Sequence, residues 1–339
     1  MSINDIINSM NKTAKEEVVK IGIDETHYKR IPFTSPRMNY CTFGGLPMGK
    51  LIEFFGEEHG GKTTTALDII ANYQLMEPDR KVLYLDCENT LDVEWATKLG
   101  VNVNSLIVFK PTSQSAEEIF QFIYDMVETG EIGLWVLDSI GALVSQDELD
   151  KSIEQKTYAG IAKPLTVFGR KIEMIMQRTR CTGIGINQIR ENLNSPYGGT
   201  TTPGGKGWRH FCCVRMEFRR GKYIDEKGNE LTRSAETPVG NIVQMSMVKN
   251  KSCPPTRRSG FYTINYTTGI DYLKDLVDVA IKYGIVNKQG AWFYVVDTET
   301  GEMLTDKLHG ASNLYELLEN NTELLAKLEE FVDKKMNLC

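Results

Sequence analysis

Short apolar runs alternate with longer amphipathic segments from about residue 36 to residue 269. Apolar runs bounded by turn residues predict buried strands, and apolar positions three or four apart predict helices. The two kinds of segment alternate up to Gln188, which predicts βαβ units and a parallel sheet, followed by an antiparallel addition. The predicted strands are 51–55, 81–86, 106–109, 133–138, 182–187, 212–218, 242–248 and 260–265, and the predicted helices are 62–76, 91–99, 115–129 and 163–178.

Two further segments flank this region. Residues 3–19 carry apolar side chains near one helical face, which predicts an amphipathic helix that needs a partner surface on its own core or on a neighbour. The C-terminal pattern predicts a helix at 273–283, a hairpin at 291–304 and a helical region at 311–336. The predicted parts are therefore 1–35, an N-terminal helix and connector; 36–269, an α/β core; and 270–339, a small C-terminal α/β domain.

The composition is that of an ordinary globular protein, with 41% hydrophobic and 25% charged residues. No stretch approaches the roughly 18 consecutive apolar residues of a membrane-spanning helix, and the N-terminus lacks the apolar centre of a signal peptide. The seven cysteines include no C-x-x-C pair, which favours reduced thiols over a disulfide framework or a metal site. These features predict a cytoplasmic protein with no membrane partner.

The formal net charge of −6 argues against a general nucleic-acid-binding protein. The basic residues are unevenly distributed, however. Segment 189–222 holds seven basic residues against two acidic ones, and segment 249–258 holds four basic residues and no acidic one. Such islands are typical either of a nucleic-acid-binding surface or of solvated loops rich in charge.

A phosphate loop is the strongest chemical signal. Residues 56–64 fit the pattern G-x-x-x-x-G-K-[ST] between a predicted strand and a predicted helix. In this motif backbone N–H groups and the positive end of the helix bind phosphate. Lys62 can reach the β and γ oxygens, and the Thr63 hydroxyl can bind Mg²⁺. The predicted nucleoside triphosphate site therefore contains Gly56, Glu57, Glu58, His59, Gly60, Gly61, Lys62, Thr63 and Thr64.

Acidic residues at two other strand ends complete the predicted site. Asp138, followed by Ser139, ends an apolar strand and suits the carboxylate that holds Mg²⁺ in such proteins. Asp86 and Glu88 follow the strand 81–86, whose carboxyl end is expected to face the phosphates. Either acid could activate the attacking water, and their spacing does not choose between them.

Two stretches, 145–162 and 189–210, fit neither a strand nor a helix pattern. The second contains Asn-Ser-Pro-Tyr-Gly-Gly-Thr-Thr-Thr-Pro-Gly-Gly at 194–205. Long loops this rich in Gly, Pro and Thr within a compact domain are usually functional or disordered when free. We therefore expect these two loops to have a role in binding.

A series of short motifs occurs in order after the phosphate loop and around it. They are Gly-Leu-Pro-Met-Gly-Lys at 45–50, Asp-Cys-Glu at 86–88, Leu-Asp-Ser at 137–139, Asn-Gln-Ile-Arg at 187–190, Val-Lys-Asn-Lys at 248–251, Gly-Ile-Asp at 269–271, Leu-Val-Asp at 276–278 and Gly-Ala-Trp-Phe at 290–293. Together they resemble the RecA recombinase family over roughly residues 43–335. The resemblance implies a RecA-type core with a mostly parallel twisted sheet flanked by helices, an N-terminal helix that packs on a neighbouring subunit, and a small C-terminal domain.

The resemblance also implies a function. It is a DNA-dependent ATPase that forms helical filaments of identical subunits on single-stranded DNA and exchanges strands with double-stranded DNA in recombination and repair. The implied cofactors are ATP and Mg²⁺. The two unassigned loops would be the family's DNA-binding loops, and the implied DNA contacts are Lys163, Thr166, Arg170, Arg190, Gly204, Gly205, Lys206 and Arg209.

Roles for single residues of the ATP site follow from the same resemblance. Glu88 would activate water, and Asp138 would hold Mg²⁺ with Thr63 as a direct ligand. Gln188 would sense the γ-phosphate. The remaining roles are the adenine contacts Asp92 and Trp95, with tryptophan where the bacterial proteins have tyrosine, and the lysine pair Lys249 and Lys251, which would reach a neighbouring subunit's ATP.

Two other functions compete with this hypothesis. A hexameric helicase with the same core predicts an arginine finger and a closed ring in place of the lysine pair. An ATP-gated accessory protein that loads another recombinase would not need a catalytic site, so the presence of Lys62, Glu88 and Asp138 weakens this alternative. The residues at the variable positions 57–59 of the phosphate loop, two of which are acidic, depart from the family pattern.

Overall fold

The computed structural model describes residues 2–14, 19, 29–152, 154–155, 160–191, 200–226, 230–232 and 234–336. Its centre is a ten-stranded mixed sheet. The strands and helices that build this part of the chain are β1 (Arg30–Ile31), α2 (Pro36–Thr42), β2 (Leu46–Pro47), β3 (Leu51–Gly56), α3 (Lys62–Met76), β4 (Lys81–Asp86), α4 (Val93–Lys98), β5 (Leu106–Phe109), α5 (Ala116–Glu128), β6 (Ile132–Asp138), α6 (Gln146–Leu149), α7 (Ala162–Thr179), β7 (Thr182–Gln188), β8 (Arg190–Glu191), β9 (Thr200–Thr201), α8 (Gly205–Phe211), β10 (Val214–Ile224), β11 (Glu230–Leu231), β12 (Gly240–Asn250), β13 (Ser259–Asn265) and β14 (Gly269–Ile270), after an N-terminal helix α1 (Ile3–Ala14).

The strand order is β14-β13-β12-β10-β3-β7-β6-β4-β5, and β11 pairs with the outer part of β10. The strands from β10 to β5 are parallel, whereas β12, β13 and β14 are antiparallel. The predicted mostly parallel sheet is therefore confirmed. The antiparallel addition begins one strand later than predicted, because β10 is parallel to β3. A parallel strand requires a crossover connection, and helix α8, in the unassigned segment before β10, supplies it.

Two hydrophobic clusters cover the two faces of this sheet. Alternate residues of one strand belong to different clusters. On β4, Val82 and Tyr84 belong to the first cluster, and Leu83 and Leu85 belong to the second. Helix α3 packs on the first face and helices α5 and α7 on the second. Because both faces are covered, the parallel strands read as nearly continuous apolar runs, which is why the sequence revealed them.

The terminal parts pack differently from each other. None of the residues of α1 is buried, and the predicted extension of this helix beyond Ala14 lies largely outside the described residues. The C-terminal part has its own hydrophobic cluster and a three-stranded antiparallel sheet. Its elements are α9 (Tyr272–Lys282), β15 (Val286–Gln289), β16 (Trp292–Val295), β17 (Leu308–His309), α10 (Ala311–Asn320) and α11 (Thr322–Met336).

The predicted hairpin at 291–304 is only partly right. Strand β16 pairs mainly with β15, which precedes it, and with β17. A turn at 297–301 lies within this segment, but it closes a single bridge between Val296 and Met303. The side chain of Asp297 accepts hydrogen bonds from the backbone N–H groups of Glu299 and Thr300, which fixes the turn without a longer ladder.

None of the helices in the described part of the chain combines the length and the apolarity needed to span a bilayer.

Candidate functional site

The carboxyl ends of four parallel strands bring the predicted nucleotide residues to one edge of the sheet. Gly56 at the end of β3 lies beside Gln188 at the end of β7, and Asp86 at the end of β4 lies beside Asp138 at the end of β6. A cavity of about 660 Å³ opens at this edge. Its lining includes the predicted residues Glu58, His59, Gly60, Gly61, Lys62, Thr63, Thr64, Glu88, Trp95, Asp138, Ser139 and Gln188.

The phosphate loop is shaped by its glycines. Gly61 has a φ of 91° and precedes helix α3, and a Cβ atom there would lie 2.7 Å from Val243. Lys62 is 8% exposed, and its Nζ donates hydrogen bonds to the carbonyls of Gly56 at 3.1 Å and Glu57 at 2.5 Å. Burial lowers the pKa of Lys62, while the nearby carboxylates Asp138 and Glu88 oppose this shift. A buried cation at a helix start suits an anionic ligand.

The side chains at the variable positions 57–59 of the loop point outward. The side chains of Glu57, Glu58 and His59 are exposed, and those of Glu58 and His59 line the mouth of the cavity. His59 has a φ of 56°, an uncommon conformation for a residue with a side chain. Because these bulky side chains point outward, backbone groups line the interior of the loop.

Asp138 is held by two hydroxyl groups. Its Oδ2 accepts hydrogen bonds from Thr63 Oγ1 at 2.7 Å and from Tyr84 Oη at 2.9 Å. Asp138 is 4% exposed, and burial raises its pKa, while the two hydrogen bonds oppose that shift. The peptide bond between Asp138 and Ser139 is cis. The arrangement holds one threonine hydroxyl and one carboxylate together, which is the oxygen set that Mg²⁺ prefers next to phosphates.

Glu88 and Gln188 are brought together in the cavity that also contains Thr63 and Asp138. Glu88 Oε1 accepts hydrogen bonds from Ser139 Oγ and, at 3.0 Å, from Gln188 Nε2. Asp86, the other acid that the sequence left open, is 1% exposed and accepts hydrogen bonds from the backbone N–H groups of Thr90 and Leu91. Glu88 lines the cavity, whereas Asp86 holds the following turn together.

The two residues predicted to contact adenine differ in position. Trp95 lines the cavity and is partly buried. Asp92 is exposed and caps helix α4, since its Oδ1 accepts a hydrogen bond from the backbone N–H of Trp95 at 3.0 Å. The adenine contact of Asp92 stays a prediction, and the geometry gives this residue a capping role.

Lys249 and Lys251 lie at the other edge of the sheet. Lys249 on β12 lies opposite Arg215, near the start of β10. The phosphate loop instead begins at Gly56, which lies opposite Phe218, further along β10. Lys249 Nζ donates hydrogen bonds to the carbonyls of Arg209 at 2.7 Å and His210 at 2.9 Å, at the end of α8. Burial, with the neighbouring charge of Lys251, lowers the pKa of Lys249.

The predicted DNA contacts lie on α7, α8 and the ends of the second loop. Helices α7 and α8 pack closely, since a Cβ atom on Gly207 would lie 2.4 Å from Thr166 Oγ1. Thr166 therefore faces α8, and its hydroxyl donates to the carbonyl of Ala162. Lys163 and Arg170 on α7 and Lys206 on α8 are exposed.

The remaining DNA candidates have local partners. Arg190 donates a hydrogen bond to the carbonyl of Gly141 at 3.1 Å. Arg209 donates to the Thr202 carbonyl at 3.3 Å and also to Thr201 Oγ1. Gly204 and Gly205 have positive φ values of 94° and 69° at the start of α8, a conformation that favours glycine. Residues 153, 156–159 and 192–199 of the two loops lie outside the described part of the chain.

Sequence reasoning missed several residues of the site. Tyr84 donates to Asp138, and Arg220, Asn241 and Tyr266 line the wall of the cavity that β10, β12 and β13 form. For Tyr84 the only signal in the sequence is a single hydroxyl within an otherwise apolar strand. The other three are separated from the phosphate loop by more than 150 positions, so only the strand order brings them to the site.

The fold and the site together define a P-loop nucleotide-binding protein of the α/β class. The profile of the RecA N-terminal domain matches residues 2–271, and that of the RecA C-terminal domain matches residues 274–337. Protein RecA of Ruminococcus albus is 34% identical over 287 residues, 84% of this chain and 67% of the relative. Protein RecA of Thermotoga maritima is 32% identical over 329 residues, 96% of this chain and 88% of the relative.

The chain therefore belongs to the RecA family, and its role is that of a recombinase in recombination and repair. This membership confirms the resemblance that the motifs predicted. It favours the recombinase over the helicase and over the accessory protein.

Proposed function

We propose that the protein is a DNA-dependent ATPase of the cytoplasm that uses ATP with Mg²⁺, forms helical filaments on single-stranded DNA, and exchanges strands with double-stranded DNA. One observation carries the proposal. The phosphate loop and Glu88 lie at one edge of the sheet, and Lys249 lies towards the other edge. This separation supports the proposal that the lysine pair of a second subunit completes the site.

Within one subunit the residues suit ATP binding. Lys62 and the backbone of the phosphate loop would bind the phosphates, and Trp95 offers an aromatic face to the base. Thr63 and Asp138 would hold Mg²⁺, which when bound neutralises the charge of the phosphates. Glu88 would orient the attacking water and accept its proton, while Ser139 and Gln188 fix the position of the carboxylate.

The lysine pair would act on a neighbour. Lys249 lies opposite Arg215 on β10, and Gly56 lies opposite Phe218, three positions further along that strand. This spacing corresponds to about 10 Å along the strand before the phosphate loop begins. In a head-to-tail assembly this edge would meet the cavity of the next subunit. The exposed apolar residues Ile3, Ile6 and Met10 of α1 support the proposal that this helix packs on that neighbour.

The exposed cations support DNA binding. Lys163, Arg170 and Lys206 lie on the two packed helices that flank the DNA loops, so their charges can act on one phosphate backbone. Contacts with phosphates carry no sequence information, and each one releases counterions on binding. We therefore expect binding that is independent of sequence and weakened by salt.

The proposal is tested by measuring ATP hydrolysis with and without single-stranded DNA, together with electron microscopy in ATP. We expect DNA to stimulate hydrolysis and helical filaments to form. Equal rates with and without DNA, and no filament, would contradict the proposal.

Replacing Tyr84 with phenylalanine is expected to weaken Mg²⁺-dependent nucleotide binding by about tenfold. The variant removes the hydrogen bond that Tyr84 donates to Asp138, and a hydrogen bond to a charged group contributes roughly 1.5–3 kcal/mol. The measurement is the dissociation constant of a fluorescent ATP analogue, in Mg²⁺ and in EDTA. Tyr84→Phe should raise the first value and leave the second nearly unchanged.

Tyr73→Phe is a matched control for this experiment. Tyr73 is also buried, but it is not among the residues that line the nucleotide cavity. Removal of its hydroxyl should leave the Mg²⁺ dependence unchanged. If the two variants bind the analogue alike in Mg²⁺, Tyr84 has no part in orienting Asp138.

A further inference from the structure

A buried ion pair lies within the sheet, away from the nucleotide cavity. Glu53 on β3 is 0% exposed, and its Oε2 accepts a hydrogen bond from Nε of Arg215 on the adjacent strand β10. The Arg215 side chain is 11% exposed, and its guanidinium lies over the Phe55 ring at 4.5 Å from the ring centre. The proposed ATP site uses neither charge.

The other carboxylate oxygen of Glu53 connects to the end of β7. Asn187 Nδ2 donates to Glu53 Oε1 at 2.9 Å and also lies 3.0 Å from the carbonyl of Pro203. Asn187 Oδ1 accepts a hydrogen bond from the backbone N–H of Gln188 at 3.0 Å. The Asn187 amide therefore joins three things: the ion pair, the end of the second DNA loop, and the residue whose side chain bonds to Glu88.

Arg215 extends the connection towards the lysine pair. It lies opposite Lys249 in the β10–β12 ladder, and Lys249 bonds to the carbonyls at the end of α8. Helix α8 begins at Gly205, directly after Pro203 and Gly204. The contact of Asn187 with Pro203 and the contacts of Lys249 with α8 therefore meet at the same loop and helix. A continuous set of contacts thus runs from the nucleotide cavity to the loop and to the lysine edge.

Stability alone does not account for this arrangement. Taking two charges out of water is unfavourable, and replacing a buried ion pair by apolar residues of similar size is often neutral or stabilising. A buried, directional pair instead fixes one arrangement of the strands around it. The burial and the shared Asn187 amide therefore point to a role in positioning.

We propose that Glu53, Asn187 and Arg215 form a buried relay that couples the nucleotide site to the end of the second DNA loop and to the lysine pair. A change at Gln188 moves the Asn187 amide, which alters its bonds to Pro203 and to Glu53. Glu53 in turn holds Arg215 beside Lys249. The relay rests on the proposed function, because it needs DNA-stimulated hydrolysis to regulate.

The test is the double variant Glu53→Met/Arg215→Met, which replaces both charges by apolar side chains of similar length. We expect a thermal midpoint equal to or above that of the unchanged protein, with unchanged ATP affinity and DNA-independent hydrolysis. Stimulation by single-stranded DNA should fall about tenfold, within the roughly 5- to 150-fold range that coupling between sites usually spans. A purely structural pair would lower the thermal midpoint and leave the stimulation intact.

Two further variants make the result decisive. Glu53→Gln keeps an oxygen for the Asn187 amide but removes the charge that holds Arg215, so its stimulation should also fall. Arg178→Met/Glu128→Met removes an exposed ion pair between α5 and α7 and should leave stimulation unchanged. Full stimulation in either folded relay variant would overturn the relay. Absence of stimulation in the unchanged protein would instead overturn the proposed function.

Discussion

Replacing Glu88 with glutamine is expected to lower DNA-stimulated ATP hydrolysis by roughly 100- to 10,000-fold, the usual contribution of a general base. Glutamine keeps an oxygen that can accept the hydrogen bonds from Ser139 and Gln188, so the site should keep its shape. It cannot accept a proton from water at neutral pH. ATP affinity should therefore stay close to that of the unchanged protein, and the measurement is the turnover number beside the dissociation constant of ATP.

Asp86→Asn provides the control, because Asp86 is the other acid at this edge. Its carboxylate accepts hydrogen bonds from the N–H groups of Thr90 and Leu91 and lies 3.4 Å from the Lys110 ammonium. The substitution should lower the thermal midpoint and change the turnover of the folded protein only a few-fold. If Asp86→Asn abolishes turnover while Glu88→Gln remains active, the two roles are reversed.

The strands of the core could be predicted because both faces of the sheet are covered. Burial on both sides makes β3, β4, β6 and β7 nearly continuous apolar runs, and their ends then locate the phosphate loop, Asp138 and Gln188. Parallel strands align their carboxyl ends, so the sequence was sufficient to gather these residues at one edge.

Other features depend on contacts that a linear pattern does not contain. Glu53 is a single charge within an apolar run, and its partner Arg215 is 162 positions away along the chain. Helix α8 has glycines at its first and third positions, which weaken any helical signal, and it is held by packing against α7. The placement of Lys249 away from its own phosphate loop follows from the antiparallel direction of β12 and its register against β10.

Replacing Lys249 with alanine is expected to lower DNA-stimulated hydrolysis by about 1,000-fold, at the lower end of the effect of an arginine finger. The proposed lysine pair stabilises charge in the transition state on a neighbouring subunit, so ATP affinity of the isolated subunit should change little. Lys249 also bonds to the carbonyls of Arg209 and His210, and its loss could act locally by loosening α8. The rate alone does not separate these two causes.

A mixture of two inactive variants separates them. Lys249→Ala subunits keep a complete phosphate loop, and Lys62→Ala subunits keep a complete lysine pair. In a one-to-one mixture, about a quarter of the interfaces of a head-to-tail assembly would join an intact phosphate loop to an intact lysine pair. Hydrolysis should then recover to about that fraction of the unchanged protein's rate, although neither variant hydrolyses ATP alone.

The same mixture also defines what would disprove action across the interface. If Lys249 acts only within its own subunit, every active phosphate loop in the mixture belongs to a subunit that lacks it, and no recovery can occur. Dilution with Lys62→Ala/Lys249→Ala subunits controls for changes in assembly, because these subunits supply neither half of the site. Recovery with Lys62→Ala and none with the double variant would assign Lys249 to the neighbouring subunit's ATP.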